Sequence, residues 1–230
     1  MTVDHIVRFL IPESWDADWA SSSIGRIAFP LFSAMVAWHG LFNTHDAIGY
    51  TRRILIIGII AQLPYLFLPR IDLQLNICFT LALGLCWGTC LLDLARHSDR
   101  HFLKKLLVFT VTLFGWYHIG PWVEYGHTGL LMIPIYMFAL QLLNRKSDKL
   151  IDHIAAGFVP LPLLINAGLL NNTDMARFFT VMTCLVVLLI GVGVAEKVPR
   201  ISWRMPRVIW LTWYPAHLAI IVLVLYWPRS

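Results

Sequence analysis

The sequence predicts an all-α, polytopic membrane protein of about eight transmembrane helices forming a single domain over residues 1–230, and three observations predict it. The chain is 58% hydrophobic and 13% charged, which excludes an ordinary soluble domain. Its apolar runs approach the ~20 residues that carry a helix across ~30 Å of hydrocarbon. Its cations crowd alternate connections: Arg52 and Arg53; then Arg96, Arg100, Lys104 and Lys105; then Arg145, Lys146 and Lys149; then Lys197, Arg200, Arg204 and Arg207. The intervening connections hold Arg70, Arg177 or no cation. By the positive-inside rule the basic connections are cytoplasmic.

Taken in order, the expected spans are Ile24–Phe42, Ile54–Leu68, Leu73–Leu94, Leu106–Ile119, Gly129–Leu143, Leu150–Leu170, Ala176–Ala195 and Val208–Trp227. Each is expected as a helix, because a helix satisfies its own backbone polar groups in lipid. Pro64, Pro134, Pro160, Pro162 and Pro215 predict breaks or kinks. Residues 43–53, 95–105, 144–149 and 196–207 fall in the cytoplasm; residues 1–23, 69–72, 120–127 and 171–175 fall outside, with the C-terminus. Met1 to Ile11 is apolar enough for the outer end of a helix and too short to cross. No cleavable signal peptide, soluble domain or repeat is expected.

The net charge of +5 is the sum of these basic loops. It points to anionic membrane lipids rather than to nucleic acid. Ten Trp and seven Tyr gather near span ends, as an interfacial belt requires. Cys78, Cys86, Cys90 and Cys184 show no zinc-ligand spacing and read as packing residues, so no metal is expected.

The polar residues expected at outer span ends are Asp4, His5, Arg26, Asp72, Asn76, His118, Glu124 and His127. Tyr214 and His217 lie deeper, in Trp213-Tyr214-Pro215-Ala216-His217-Leu218. Burying an ionisable group in hydrocarbon is expensive, so His217 marks either a buried pairing or a wet cavity. Each has a plainer reading. Asp4–His5 is a surface pair, Asn76 caps a span, Arg26 snorkels to lipid phosphate, and Glu124 and His127 are loop polarity. On the cytoplasmic side His97, His101, Asp93 and Asp99 read as a solvated loop, and Asp152 and His153 are ambiguous.

Five blocks then carry a family resemblance: Val3-Asp4-His5, Gly25-Arg26-Ile27-Ala28-Phe29-Pro30-Leu31-Phe32, Asn76-Ile77-Cys78-Phe79, Tyr125-Gly126-His127-Thr128-Gly129-Leu130-Leu131 and Tyr214-Pro215-Ala216-His217-Leu218. In this order they resemble the TraX family of integral-membrane pilin acetylases, and distantly the membrane acyltransferases that modify exported sugars. The second and last blocks are the specific ones. The resemblance implies a multi-pass protein of the bacterial inner (cytoplasmic) membrane. Its donor would be acetyl-CoA and its acceptor a pilin or another exported molecule. Family members have a full helix leading into the Asp-His pair, and here that first helix is expected to be truncated.

Acetyl transfer to an amine needs a base, a stabilised oxyanion and aligned reactants. His5 is the expected base with Asp4 ordering it, and His127 is interchangeable with it. Arg26 is expected at the oxyanion or a substrate anion, and His217 and Tyr214 in an embedded pocket. Asn76, Glu124 and His127 are expected to position the acceptor. Because acetyl-CoA is cytoplasmic, its arm must reach through a pore between helices, which ranks above a relay through His217. A transporter, a non-catalytic assembly factor of a pilus or secretion system, and an O-acetyltransferase for an envelope sugar are the alternatives.

Overall fold

The computed structural model describes residues 1–70, 73–96, 102–144, 157–193 and 206–227. Asp72, Arg100, Arg145, Lys146, Lys149, Lys197, Arg200 and Arg204 lie outside the described residues. So do His97, Asp99, His101, Asp152, His153 and the first part of the expected span Leu150–Leu170.

The described residues are helical, and only Leu75 and Val123 form an isolated bridge among them. In chain order the main helices are α1 (Thr2–Leu10), α2 (Arg26–Trp38), α3 (Ala47–Leu66), α4 (Ile77–Arg96), α5 (Phe102–Ile119), α6 (Gly126–Leu143), α7 (Pro160–Leu169), α8 (Asp174–Gly191) and α9 (Arg207–Tyr226). Wider π-helical turns at Ser21–Gly25 and His39–Asn43 extend α2 at both ends. Among the described residues four stretches are long and apolar enough to cross a membrane: Asp18–Asn43, Ile77–Ala95, Gly126–Leu143 and Asp174–Gly191.

Several expected boundaries move, among them the starts of α5 (Phe102 rather than Leu106) and α6 (Gly126 rather than Gly129), and two of the shifts have a clear local reason. α3 begins at Ala47 rather than Ile54, because the Asp46 carboxylate accepts the Gly49 N–H (2.8 Å) and caps the helix there. Arg52 and Arg53 therefore ride on a helix, not in a loop. α4 begins at Ile77 rather than Leu73. Leu75 is held extended, its N–H donating to the Trp122 carbonyl (2.7 Å) and its carbonyl accepting from Glu124 N–H (3.0 Å). The Asn76 side chain then accepts the Cys78 N–H (3.0 Å). Pro64, Pro134 and Pro215 lie inside helices, as does Pro30. Pro160 opens α7, where its missing N–H costs nothing.

The core lies where α4 crosses α6, flanked by α2, α3, α7 and α8. Added Cβ atoms at Gly84 and Gly88 would come 3.1 Å from the Leu130 carbonyl and 3.2 Å from the Pro134 Cα. This small-x-x-x-small stripe lets the two backbones meet, the usual packing device where lipid offers no hydrophobic drive between helices. The outer surface is apolar in turn. Ile56, Ile59, Ile60 and Leu63 on α3 and Leu106, Leu107, Phe114 and Tyr117 on α5 are exposed. α9 packs on α3, and α1 on α9 and the first π-helical turn.

Candidate functional site

α1 is an inside-out helix. Asp4, His5 and Val7 are buried, while Val3 and Ile6 face outward at about 40% exposure. The polar face therefore enters the bundle. Gly25 permits this, because a Cβ there would lie 2.9 Å from the Asp4 Cβ.

His5 meets His217 of α9. Their rings stack with centroids 5.2 Å apart, and His5 Nδ1 lies 3.0 Å from His217 Nε2. Both side chains are buried. His217 Nδ1 lies 2.9 Å from the Trp213 carbonyl, which can only accept, so that nitrogen carries the proton. Neutral His217 then presents a bare Nε2, and His5 must donate to it from Nδ1. His5 Nε2 is left with the free lone pair of the chain carbonyl–imidazole–imidazole. Burial, and then the neighbouring His217, push the His5 imidazole well below its ordinary value. It is a neutral base at pH 7.

Two ion pairs flank these rings. Asp4 Oδ1 lies 3.7 Å from Arg26 Nη2 and accepts a short hydrogen bond from Ser21 Oγ, which the π-helical turn brings to it. Arg26 also reaches the Tyr125 hydroxyl. Tyr125 takes a left-handed backbone (φ +66°), an uncommon conformation for a bulky residue, and stacks on Phe29 at 4.2 Å between centroids. The second pair joins Arg70 Nη2 to Glu124 Oε1 at 3.3 Å, with the guanidinium 4.4 Å over the Tyr65 ring. Burial pushes the Glu124 carboxyl up, against the pull of Arg70. Tyr214 is within electrostatic reach of Glu124, Arg70 and Tyr125.

Several polar atoms of this neighbourhood are buried without a hydrogen-bond partner: Arg26 Nε, Arg70 Nη1, Glu124 Oε2 and the Tyr214 hydroxyl. Such atoms are costly unless a ligand meets them. A cavity of about 500 Å³ adjoins the site, with His217, Tyr214 and Thr2 at one end and His39, Tyr50 and Arg53 at the other.

Six of the eight expected site residues thus converge: Asp4, His5, Arg26, Glu124, Tyr214 and His217, although Asp4 pairs with Arg26 and Ser21 instead of ordering His5, which His217 holds. Two do not. Asn76 Nδ2 donates to the Gly58 carbonyl and Gln62 Oε1, both at 2.8 Å, while its oxygen caps α4, so it is spent on joining α3 to α4. His127 Nε2 donates to the Tyr117 carbonyl (3.0 Å) and its ring meets Trp116 edge-on, which ties α6 to the end of α5. The two histidines that were interchangeable in the sequence are separated here. Arg70, Tyr125 and Ser21 belong to the site and were not among the expected residues. The signal for Arg70 was its isolation as a lone cation in a connection otherwise free of them.

The comparisons with known proteins agree in their span. A family model described as TraX protein matches residues 1–225. An uncharacterized protein of Rickettsia prowazekii (strain Madrid E) is similar, 27% identical over 221 residues, covering 92% of this chain and 82% of the relative. No solved structure matches.

Proposed function

Because this chain belongs to the TraX family, we propose that it is a membrane acetyltransferase that moves an acetyl group from acetyl-CoA to an amine at the outer face of the bacterial inner membrane. The acceptor we assign is the N-terminal amine of an exported, conjugative-type pilin. This reading includes the eight-span topology, with Arg53 toward the cytoplasm and Asp4, Arg26 and Glu124 toward the outside. The observation that carries it is the His5–His217 hydrogen bond, buried beside a cavity and near single polar atoms, Arg26 Nε and the Tyr214 hydroxyl among them, that have no hydrogen-bond partner.

The chemistry follows from the tautomers. An α-ammonium with a pKa of about 7.7–8.0 must lose a proton before it can attack. His5 Nε2 holds the lone pair that takes it. As His5 gains charge, its Nδ1–H already points at His217 Nε2, so the positive charge spreads over two rings and onto the Trp213 carbonyl. The amine nitrogen forms a bond to the thioester carbonyl carbon and the C–S bond breaks. The proton taken from the ammonium is released from His5 to water before attack; a second proton, lost by the nitrogen as it bonds to the carbonyl carbon, passes through His5 Nε2 to the leaving thiolate. His217 has both nitrogens engaged, so the Tyr214 hydroxyl and Arg26 Nε are the donors free for the developing oxyanion. Asp4 holds Arg26 in place. Glu124 Oε2 is the acceptor atom suited to an incoming ammonium.

The test is the intact mass of the candidate pilin from cells carrying the native protein, His5→Asn, His217→Asn or Tyr214→Phe at matched expression. One acetyl group is expected with the native protein, with its loss in both histidine variants. A pilin of unchanged mass in every strain, together with no acetyl-CoA turnover by the purified protein, overturns the reading in favour of a non-catalytic assembly role.

A further inference from the structure

We propose that the Arg53 end of the cavity between α2, α3, α4 and α9 is the subsite for the phosphate-bearing head of the acyl donor, with the donor's linear arm in the apolar middle and its thioester at His217. This inference rests on the reading of the histidine pair as an acyl-transfer centre.

The register of four helices supports it. The cavity is lined on α2 from Phe32 to His39, on α3 from Tyr50 to Ile57, on α4 from Ile77 to Leu81 and on α9 from Leu211 to His217. Successive helices run in opposite directions, so His39 of α2, Tyr50 and Arg53 of α3 and Leu211 of α9 share one end. Phe32, Ile57, Ile77, Tyr214 and His217 share the other. At ~1.5 Å per residue each lined stretch of α2 and α3 is roughly 10 Å long. The volume of about 500 Å³ sits within the ~300–1,000 Å³ usual for small-molecule sites.

Polarity along this channel is segregated. One end offers a guanidinium, a phenol and an imidazole. Asn43 Nδ2 donates to His39 Nδ1 (3.1 Å), which leaves the His39 proton on Nε2 as a donor. Among the described residues no carboxylate pairs with Arg53. The middle is Val36, Ile54 and Leu81. The other end is polar again, with Thr2, Tyr214 and His217. A ligand that matches is anionic at its head, extended and weakly polar along its length, and reactive at its tip. A phospholipid shares the anionic head, yet its tail would be pressed against hydroxyls and imidazole. A phosphate-headed thioester fits both ends, and Arg53 is the residue that would read its head.

The experiment titrates the full chain in nanodiscs of phosphatidylcholine with coenzyme A and, separately, with pantetheine, which has the arm and no phosphate. Native protein is expected to bind both, coenzyme A the tighter. Arg53→Gln should weaken coenzyme A tenfold or more and leave pantetheine within about twofold. Arg53→Lys should recover most of the loss. Equal weakening of both ligands by Arg53→Gln, in protein that stays monodisperse, overturns the subsite, as does coenzyme A binding that ignores Arg53. Both of those outcomes leave the acetyltransferase reading standing. Absence of coenzyme A binding in the native protein overturns both, and stabilisation by phosphatidylglycerol without it identifies a lipid site instead.

Discussion

His5 is the residue on which pH should act most visibly. Its folded-state pKa is depressed by burial and by His217, while the unfolded imidazole titrates near ~6.5. Below that pH the unfolded chain binds a proton that the folded chain refuses, so stability falls as pH drops from about 7 toward 5. Thermal unfolding of detergent-solubilised protein across that range should show the loss, and His5→Asn should flatten it. A native curve no steeper than the variant's would contradict the assigned neutral pair. The Arg70–Glu124 pair behaves differently. Arg70→Ala leaves a buried carboxylate alone, which costs about 3–5 kcal/mol when it must stay charged. Burial already raises Glu124, so in Arg70→Ala the carboxyl is raised further and is neutral at low pH. That variant should be close to native stability near pH 4–5 and lose stability as pH rises toward 8, a trend opposite to that of His5. Removal of the charge by Glu124→Gln should return the Arg70→Ala protein to the pH trend that His5 sets.

At the scale of elements, α1 is the part on whose attachment the proposed activity depends. It spans Thr2–Leu10, docks by its polar face and depends on the bare backbone at Gly25 for close approach. Gly25→Val would drive a side chain into Asp4 and separate α1 from α2 without touching the α4–α6 core. Turnover of acetyl-CoA should fall about 100-fold or more, the scale of a lost general base, while the unfolding temperature of the bundle moves by only a few degrees. A comparable fall in both would place α1 within the core rather than upon it. The π-helical turns that bracket α2 each place a polar side chain. One brings Ser21 to Asp4, and the other presents His39 beside Tyr50. Wide turns of this kind reposition side chains at the cost of regular hydrogen bonding, and they recur at functional sites.

For the whole molecule, the expected sidedness can be read by cysteine labelling. Glu124 is too buried for such a probe, but Asp174, whose side chain is fully exposed, and His45, on the connection before α3, are suitable. In intact cells of a strain carrying a cysteine-free protein, Asp174→Cys should react with an impermeant maleimide and His45→Cys only after permeabilisation. The reverse pattern would invert the proposed topology and put the histidine pair at the cytoplasmic side.

The helical membrane class was legible from composition and from runs of apolar residues, because lipid leaves a chain few ways to satisfy its backbone. Six residues that the fold brings together were legible too, since an ionisable group amid apolar sequence must be paired or used. Their partners were not. His5 and His217 are 212 positions apart, and only the docking of α1 on α9 joins them. No pattern along the chain distinguishes His127, which braces α5 against α6, from His5, because both are histidines near a helix end beside glycine or acid. Asn76 and Arg70 exchanged roles for the same reason. Local sequence sets what a side chain can do, and three-dimensional packing decides which groups it finds within hydrogen-bond reach. The composition and order of residues determined a helical membrane protein and its family motifs; the folding of α1, α2 and α9 onto one another determined a buried histidine pair, its tautomers and the cavity beside it.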